Sequence, residues 1–261
     1  MTIKDFFTNE NNPSLPKSEY LFGTRHIVMI LTVFVLCIAL SLIFSKKSEK
    51  AKNILFYVFG GILLFFEIAS RAVNLIIETN LTVEKFFEIM LPMHICSVMV
   101  WVFIIAIFSK KQVLINYSVI GGILATIAFL LYPAVGINKV YMSFTCLYST
   151  ISHMLGFICC VLLMTLKKAK FKMKDIWQMY LCLVIMFSWG ALLNFIIFPG
   201  SDYMYMRNDP LELGLDFPYQ ILYVAILIVY VFVYYLISFL IEKARNRKLK
   251  KVNNVWTFLD G

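Results

Sequence analysis

Residues 26–44 read HIVMILTVFVLCIALSLIF, a run that contains no Asp, Glu, Lys or Arg. At a rise of about 1.5 Å per residue, a helix of this length is roughly as long as the hydrocarbon core of a bilayer is thick. A chain that crosses lipid must satisfy its backbone hydrogen bonds within itself, which an α-helix does. The run therefore predicts a membrane-spanning helix, and the rest of the chain can be compared with it.

Similar runs recur along the whole chain. Of its 261 residues, 61% are hydrophobic and 15% charged, whereas a soluble domain is about 45–50% apolar and about 25% charged. A core of this size cannot hide so much apolar surface from water. We predict an all-α, polytopic membrane protein, multi-pass in the cell membrane. Its seven spans, numbered one to seven, cover His26–Phe44, Ile54–Ile77, Ile89–Phe108, Val113–Tyr132, Val140–Leu166, Trp177–Phe198 and Pro218–Ile241.

The loops between these spans alternate sharply in charge. Seventeen of the 24 Lys and Arg residues fall on one side of the predicted membrane, in the loops after spans one, three and five and in the C-terminal tail. Most acidic residues fall on the other side. The positive-inside rule then places the N-terminus outside and the C-terminus in the cytoplasm. The same rule explains the net charge of +9, so nucleic-acid binding is not expected.

The polar segments at the two ends divide the chain into three predicted regions. Residues 1–25 form an extracytoplasmic polar tail, residues 26–241 the seven-helix domain, and residues 242–261 a basic cytoplasmic tail. The first apolar run is too long for the apolar region of a signal peptide and lacks a small-residue cleavage site, so we expect it to be retained. All six cysteines lie inside predicted spans, which disfavours a disulfide framework.

Ionisable side chains within the spans carry most of the functional information, because each costs about 2.5–3.5 kcal/mol at mid-membrane on insertion scales. Span two contains Glu67 and Arg71, one helical turn apart on one face. Polar groups from at least four spans lie, by their predicted depth, in the outer half of the membrane, and we expect them to share a cavity. The candidate site residues are Glu67, Arg71, His94, Cys96, His153, Asn194 and, in the loop after span six, Tyr203 and Arg207.

Several of these candidates also have a purely structural interpretation. Glu67 and Arg71 can neutralise each other as a buried pair that fixes helix packing. Cys96 can act as a small apolar filler, and His94 can make an interfacial hydrogen bond near the start of its helix. His153 needs a partner when buried, and Ser149 supplies only one.

No P-loop, GxGxxG, HExxH or CxxC pattern occurs, so we predict neither a metal nor a cofactor.

Four stretches together resemble a known family. They are LPMHICS at residues 91–97, the buried His153, DYMYMRNDP at residues 202–210 and DFPY at residues 216–219. They are similar to the YwaF-like bacterial integral membrane proteins, which are grouped with eukaryotic transmembrane protein 164. Eukaryotic members carry a Cys directly after the Pro, where this chain has Met93, whereas bacterial relatives commonly carry it at the position of Cys96. Asp202 stands where bacterial relatives more often have Asn.

The resemblance implies a seven-helix membrane protein that transfers fatty acyl groups between phospholipids with a Cys and a His. The predicted nucleophile is Cys96, with His153 or His94 as the base and Arg71 or Asn194 stabilising the oxyanion. Glu67, Tyr203 and Arg207 would contribute to substrate binding, Arg207 at the lipid phosphate. Membrane lipids are the expected partners. The alternatives are a small-solute or proton-coupled transporter, a substrate-binding membrane subunit, and a lipid-binding protein without turnover.

Overall fold

A computed structural model of the full chain describes residues 3–8, 12–133, 136–208 and 218–259. The described segments contain helices and no strand apart from an isolated bridge between Ser14 and Lys139. The ten α-helices are α1 (Ile3–Thr8), α2 (Lys17–Tyr20), α3 (Thr24–Ser45), α4 (Glu49–Ile77), α5 (Val83–Met90), α6 (Ile95–Ser109), α7 (Gln112–Leu131), α8 (Phe144–Thr165), α9 (Ile176–Leu192) and α10 (Tyr219–Leu259).

The predicted all-α membrane fold is confirmed. Among the described residues, six helices are long and apolar enough to cross a bilayer, and a seventh span exists if the bent pair of α5 and α6 counts as one. Two predicted features fall partly outside the described residues: the motif residues Asp209, Pro210, Asp216 and Phe217, and the side chains of the basic tail beyond Ala244. The orientation of the termini and the domain boundaries stay predictions.

Span three differs from its predicted form, because it is broken where the sequence suggests a continuous helix. The axes of α5 and α6 differ by 56° across residues 91–94. Pro92 has no N–H to donate and disfavours helical geometry in the residue before it, which accounts for the break. Leu91 is extended, and His94 takes the N-cap position of α6 with extended backbone angles. The break leaves the first turn of α6 next to an irregular segment of chain.

The helices fall into two compact units, residues 1–169 and 170–261. In the first unit, α7 and α8 are the most buried spans: 56% and 61% of their apolar windows lie inside the protein. Gly122 of α7 permits this packing, since a Cβ there would lie 2.7 Å from Cζ of Phe103 and 2.8 Å from Sγ of Cys160. The close approach of α6, α7 and α8 therefore depends on the absence of a side chain at this position.

His26, the first residue of the predicted span one, links α3 to α7. It is fully buried; its Nδ1 accepts a hydrogen bond from the backbone N–H of Phe22 at 2.9 Å, and its Nε2 lies 2.7 Å from the carbonyl oxygen of Leu130. These contacts fit the neutral imidazole with its proton on Nε2. His26 is thus a fully satisfied structural residue.

The N-terminal segment is attached to the connection between α7 and α8. The side chain of Asn12 bonds the backbone of Tyr141 in both directions, Nδ2 donating at 2.7 Å and Oδ1 accepting at 2.9 Å. The guanidinium of Arg25 donates to the carbonyl oxygens of Lys139 and Val140. Farther up the chain, Phe6 and Phe7 of α1 contact the ring of Phe144, at the start of α8. The predicted polar tail therefore packs on the helical bundle.

The second unit contains α9, α10 and the segments around them. Phe171 packs its ring edge-on against Tyr234 and Tyr235 of α10, and the hydroxyl of Tyr180 donates to the carbonyl oxygen of Ile228. At its end, α9 widens into a short π-helix at Leu193–Ile197. Such π turns are rare and frequently lie at functional sites.

Candidate functional site

The first unit contains a polar cluster built around Glu67 of α4. Its side chain is fully buried, and its carboxylate is held from two directions. Arg71, one turn farther along α4, donates from Nη1 to Oε2 and to the backbone carbonyl of Glu67. The hydroxyl of Tyr148, on α8, donates to Oε1 at 2.5 Å. Both carboxylate oxygens thus have a donor, as a buried charge requires.

Arg71 fills the elbow between α5 and α6. Its Nε donates at 3.1 Å to the carbonyl oxygen of Met90, the last residue of α5. Its guanidinium carbon lies 5.2 Å from the centre of the Trp101 ring on α6, within the range of a cation–π contact. A helix that ends inside the bundle leaves carbonyl oxygens without partners, and Arg71 satisfies one of them. Arg71 therefore stabilises both the bend between α5 and α6 and the buried carboxylate of Glu67.

Cys96 is the second residue of α6 and lies directly after this elbow. Its side chain is half-buried. The thiol interacts with the backbone N–H groups of Cys96 and Ser97 and electrostatically with Glu67, and Tyr148 interacts electrostatically with Cys96 and Arg71. Helices α4 and α8 thus bring a carboxylate, a guanidinium and a phenol into hydrogen-bond contact, and the thiol on α6 lies within electrostatic range of Glu67 and Tyr148. We call these four residues, Glu67, Arg71, Cys96 and Tyr148, the elbow cluster.

The two predicted histidine bases lie in different surroundings. His153 stacks on Phe129 with ring centres 4.0 Å apart and an angle of 12°. Its Nδ1 lies 2.7 Å from the carbonyl oxygen of Ser149, which accepts a hydrogen bond from Nδ1–H and leaves the lone pair on Nε2. His94 is an exposed N-cap residue of α6. The interactions described for His153 involve α7 and α8, not Cys96.

The remaining candidates, Asn194, Tyr203 and Arg207, gather in the second unit. Asn194 is fully buried in the π-helix. Its Nδ2 donates to the carbonyl oxygens of Gly190 and Tyr203, both at 2.8 Å, and its Oδ1 accepts from the backbone N–H of Tyr203. Because both amide hydrogens are used in these bonds, Asn194 fixes the loop and has none left for a bound oxyanion.

Arg207 and its loop pack on the same end of α9. Its Nη2 donates at 2.8 Å to the carbonyl oxygen of Asn194, and its guanidinium lies 5.1 Å from the centre of the Phe195 ring. Asp202 accepts hydrogen bonds from the backbone N–H groups of Arg207 and Asn208. Arg207 itself is exposed. The loop therefore exposes the Arg207 cation, while hydrogen bonds to Asn194 and Asp202 hold its backbone in place.

Sequence reasoning missed two members of the site, Tyr148 and Trp101. Tyr148 lies between Thr145 and Ser152 at spacings of three and four residues, so it shares a face of span five with these polar residues. Tyrosine is amphipathic and common in membrane proteins, so the sequence alone did not mark Tyr148 as a site residue. Among the described residues, no group of three or more His, Cys, Asp and Glu could hold a metal ion.

Comparison with known protein families identifies the family of this chain. A family model described as the TMEM164 family matches residues 21–240. The chain belongs to the TMEM164 family. The matched segment extends from the turn before α3 into α10. It includes the elbow cluster, the candidate bases His94 and His153, and the Asn194 loop. No curated protein and no solved structure matches the chain. The family resemblance drawn from LPMHICS and His153 is confirmed, as is a multi-pass membrane protein.

Proposed function

We propose that this TMEM164-family protein is a phospholipid acyltransferase or transacylase that holds the acyl group as a thioester on Cys96. The observation that carries the proposal is the position of a half-buried thiol in the first turn of α6, next to the elbow where Arg71 bonds the Met90 carbonyl, in a chain with six to seven helices able to span a membrane. A nucleophilic Cys needs nearby charge or hydrogen-bond donors to form a thiolate. The backbone N–H groups of Cys96 and Ser97, in the first turn of α6, supply such donors.

Arg71 is the better supported of the two predicted oxyanion donors. Its Nε and Nη1 hold Met90 and Glu67, and its side chain keeps 13% of its surface exposed. A guanidinium has five N–H donors, so donors remain for a carbonyl oxygen that gains negative charge. Oxyanion stabilisation by a fixed cation in a water-poor site is a large contribution to catalysis of acyl transfer. Asn194, whose amide is fully used, does not meet this requirement.

The proposed reaction has two halves. In the first, a histidine takes the thiol proton of Cys96, and the thiolate attacks an ester carbonyl of a donor phospholipid. A C–S bond forms, the ester C–O bond breaks, and the histidine returns the proton to the leaving oxygen of the lysophospholipid. In the second, the hydroxyl of an acceptor lipid takes the acyl group from the thioester, with a histidine removing its proton. His153, with its free Nε2 lone pair, and His94 are the candidates. Arg207, exposed on its loop, is proposed to bind a lipid phosphate.

The test uses purified protein in phosphatidylcholine vesicles doped with phosphatidylcholine that carries an alkyne-tagged oleoyl chain. We expect a tag on the protein that hydroxylamine removes, because hydroxylamine cleaves thioesters. The tag should be absent from the Cys96→Ala variant and present in the matched control Cys182→Ala, which removes another half-buried thiol. A tag that persists in Cys96→Ala would overturn the assignment of the nucleophile.

A transporter is the second candidate, and the broken span favours it. Discontinuous helices whose ends carry charged groups are typical of transporter binding sites, and α5 and α6 meet at such a break beside Arg71. In that case Cys96→Ala would leave lipid composition unchanged, while Arg71→Gln would alter solute uptake in cells. Lipid profiles of the two variants distinguish the candidates.

A further inference from the structure

The first unit carries a strongly basic surface at one end of its bundle. Three segments form this surface: residues 45–53 at the junction of α3 and α4, residues 109–112 at the junction of α6 and α7, and residues 165–169 at the end of α8. They contain eight lysines and a single acidic residue, Glu49. We call these three segments the basic face. Since α4, α6 and α8 run between the basic face and the elbow cluster, the two lie at opposite ends of the bundle.

Hydrogen bonds hold the three segments of the basic face together. Nζ of Lys168 donates to Oε2 of Glu49 at 2.7 Å and to Oδ1 of Asn53 at 2.6 Å, which joins the end of α8 to the start of α4. Nε2 of Gln112 donates to the carbonyl oxygen of Lys168 at 3.1 Å. This bond adds the start of α7 and, directly before it, the end of α6. The lysines therefore lie on one surface and not on three separate loops.

Two of the eight lysines neutralise Glu49. Nζ of Lys52 lies 2.9 Å from Oε1 of this carboxylate, and Nζ of Lys168 lies 2.7 Å from Oε2; the two lysine side chains are only 12% and 18% exposed. The other six lysines form no ion pair with any described residue of the chain. All six are exposed: Lys46, Lys47, Lys50, Lys110, Lys111 and Lys167. The basic face thus has a large excess of positive charge.

Two of the six exposed lysines take a backbone conformation that does not suit a lysine. Lys110 follows α6 with a φ of 56°, and Lys167 follows α8 with a φ of 59°. Both lie in the left-handed region, where a Cβ is unfavourable and where the ends of helices usually carry glycine. Nζ of Lys110 also lies 5.4 Å from the centre of the Tyr57 ring on α4. A strained lysine at both helix ends indicates that its cation has a role at this surface.

We propose that the basic face binds the headgroups of anionic phospholipids in the adjacent leaflet, and that Lys110 and Lys167 contact them. Lys46 and Lys167 lie within two residues of the ends of α3 and α8, two of the helices able to span a membrane. Their ammonium groups therefore lie near the depth of the headgroups, where basic segments attract anionic lipid. Net positive charge favours anionic over zwitterionic lipids, because the choline of phosphatidylcholine neutralises its own phosphate.

The experiment measures the binding of individual lipids by native mass spectrometry of the full chain in detergent micelles. The protein is titrated with phosphatidylglycerol or phosphatidylcholine, and an apparent dissociation constant is fitted for the first bound lipid. We expect phosphatidylglycerol to bind at least about tenfold more tightly, since each lysine near an anionic surface contributes about fivefold. In Lys110→Gln with Lys167→Gln, the phosphatidylglycerol constant should rise at least about fivefold. Lys110→Arg with Lys167→Arg keeps both charges and should bind like wild type.

A glycine pair separates a lipid contact from a structural role. Lys110→Gly with Lys167→Gly relieves the left-handed strain, so its thermal unfolding midpoint in lipid-free micelles should equal or exceed that of wild type. Its phosphatidylglycerol binding should nevertheless fall as in the glutamine pair. The matched control, Lys17→Gln with Lys85→Gln, removes two exposed cations from the other end of the unit. It should leave the phosphatidylglycerol constant within about twofold of wild type.

Several outcomes would overturn the proposal. They are equal constants for the two lipids in wild type, unchanged phosphatidylglycerol binding in the glutamine and glycine pairs, and an equal loss in the control pair. A lower unfolding midpoint of the glycine pair would show that the two lysines serve the helix ends instead. Because the basic face is remote from the elbow cluster, none of these results depends on whether the protein transfers acyl groups.

Two soluble competitors identify the occupant. Inorganic phosphate and a short peptide of glutamates are each added at the concentration of phosphatidylglycerol. We expect neither to displace the lipid, because neither has acyl chains that hold it at the membrane surface. Displacement by phosphate would assign the basic face to a soluble phosphate compound, and displacement by the peptide would assign it to an acidic protein segment; either result contradicts the proposed lipid site.

Discussion

The hydroxyl of Tyr148 donates a hydrogen bond to the carboxylate of Glu67 from a position 81 residues away in the chain. This bond joins α8 to α4, and the Arg71 ion pair on the same carboxylate joins α4 to the elbow between α5 and α6. Three of the spans in the first unit thus meet at one buried carboxylate. The cluster has a structural role whether or not it performs chemistry, and that role can be measured separately.

Removal of only one member of the ion pair should destabilise the protein strongly. Arg71→Met leaves the carboxylate of Glu67 buried without its cation, which costs about 3–5 kcal/mol. The double variant Arg71→Met with Glu67→Met removes both charges and should lose less, because no unpaired charge remains. Unfolding free energies in detergent micelles test this. A double variant as unstable as Arg71→Met alone would show that packing, and not charge, explains the loss.

The sequence predicted how deep each polar residue lies, but not which way it faces around its helix. Glu67 and Cys96 fall in the outer half of the membrane by predicted depth, and in the structure Glu67 accepts a hydrogen bond from Tyr148 and lies within electrostatic range of Cys96. His153 is five residues beyond Tyr148, which turns it by about 140° around the helix at about 100° per residue. It therefore faces Phe129 on α7.

The break in span three was also hidden in the sequence. Residues 89–108 form a continuous apolar run, and hydropathy measures composition and not direction. Pro92 was visible, yet a proline inside a membrane helix is often accommodated when neighbouring groups bond the freed carbonyls. Here Arg71, from another span, bonds the Met90 carbonyl, a long-range contact that a single sequence does not reveal. The family, by contrast, was recognisable from local motifs.

Gly122 should tolerate no side chain, in contrast to Gly61. A Cβ on Gly122 would meet Phe103 and Cys160 at distances below 3 Å, whereas a Cβ on Gly61 has no atom within 4 Å. We expect Gly122→Ala to lose about 1–3 kcal/mol through overpacking. The control Gly61→Ala should be neutral or gain up to about 1 kcal/mol, because alanine favours the helix. Thermal unfolding in the same detergent compares them; equal midpoints would contradict the packing of α6, α7 and α8.

Asn194 should be the residue that keeps the Arg207 loop ordered. Asn194→Ala removes three hydrogen bonds, two of them to the backbone N–H and carbonyl of Tyr203, at a cost of about 0.5–1.5 kcal/mol each. The loop should then open and expose the peptide bond after Arg207 to trypsin. Asn208→Ala, which removes one exposed bond to Asp202, is the matched control and should be cleaved at the wild-type rate. Equal cleavage of both variants would show that Asn194 does not hold the loop.

The N-terminal segment should protect the connection before α8 from hydrogen exchange. The backbone N–H groups of Val140 and Tyr141 donate to Pro13 and to the side chain of Asn12. In Asn12→Ala the Tyr141 amide loses its acceptor and the segment loses the bond that fixes its register. We therefore expect exchange in peptides covering residues 138–143 to become about tenfold faster, as loss of roughly 1.4 kcal/mol of local stability predicts.

Asn80→Ala changes an exposed asparagine in the bend after α4 and should leave exchange in those peptides unchanged. Peptides from α7 should also be unaffected by Asn12→Ala, since their backbone bonds lie within the helix. Exchange that rises throughout the first unit would mean that Asn12 supports the whole bundle. Exchange that stays slow at residues 138–143 would mean that Arg25, through the carbonyls of Lys139 and Val140, is sufficient to hold the connection.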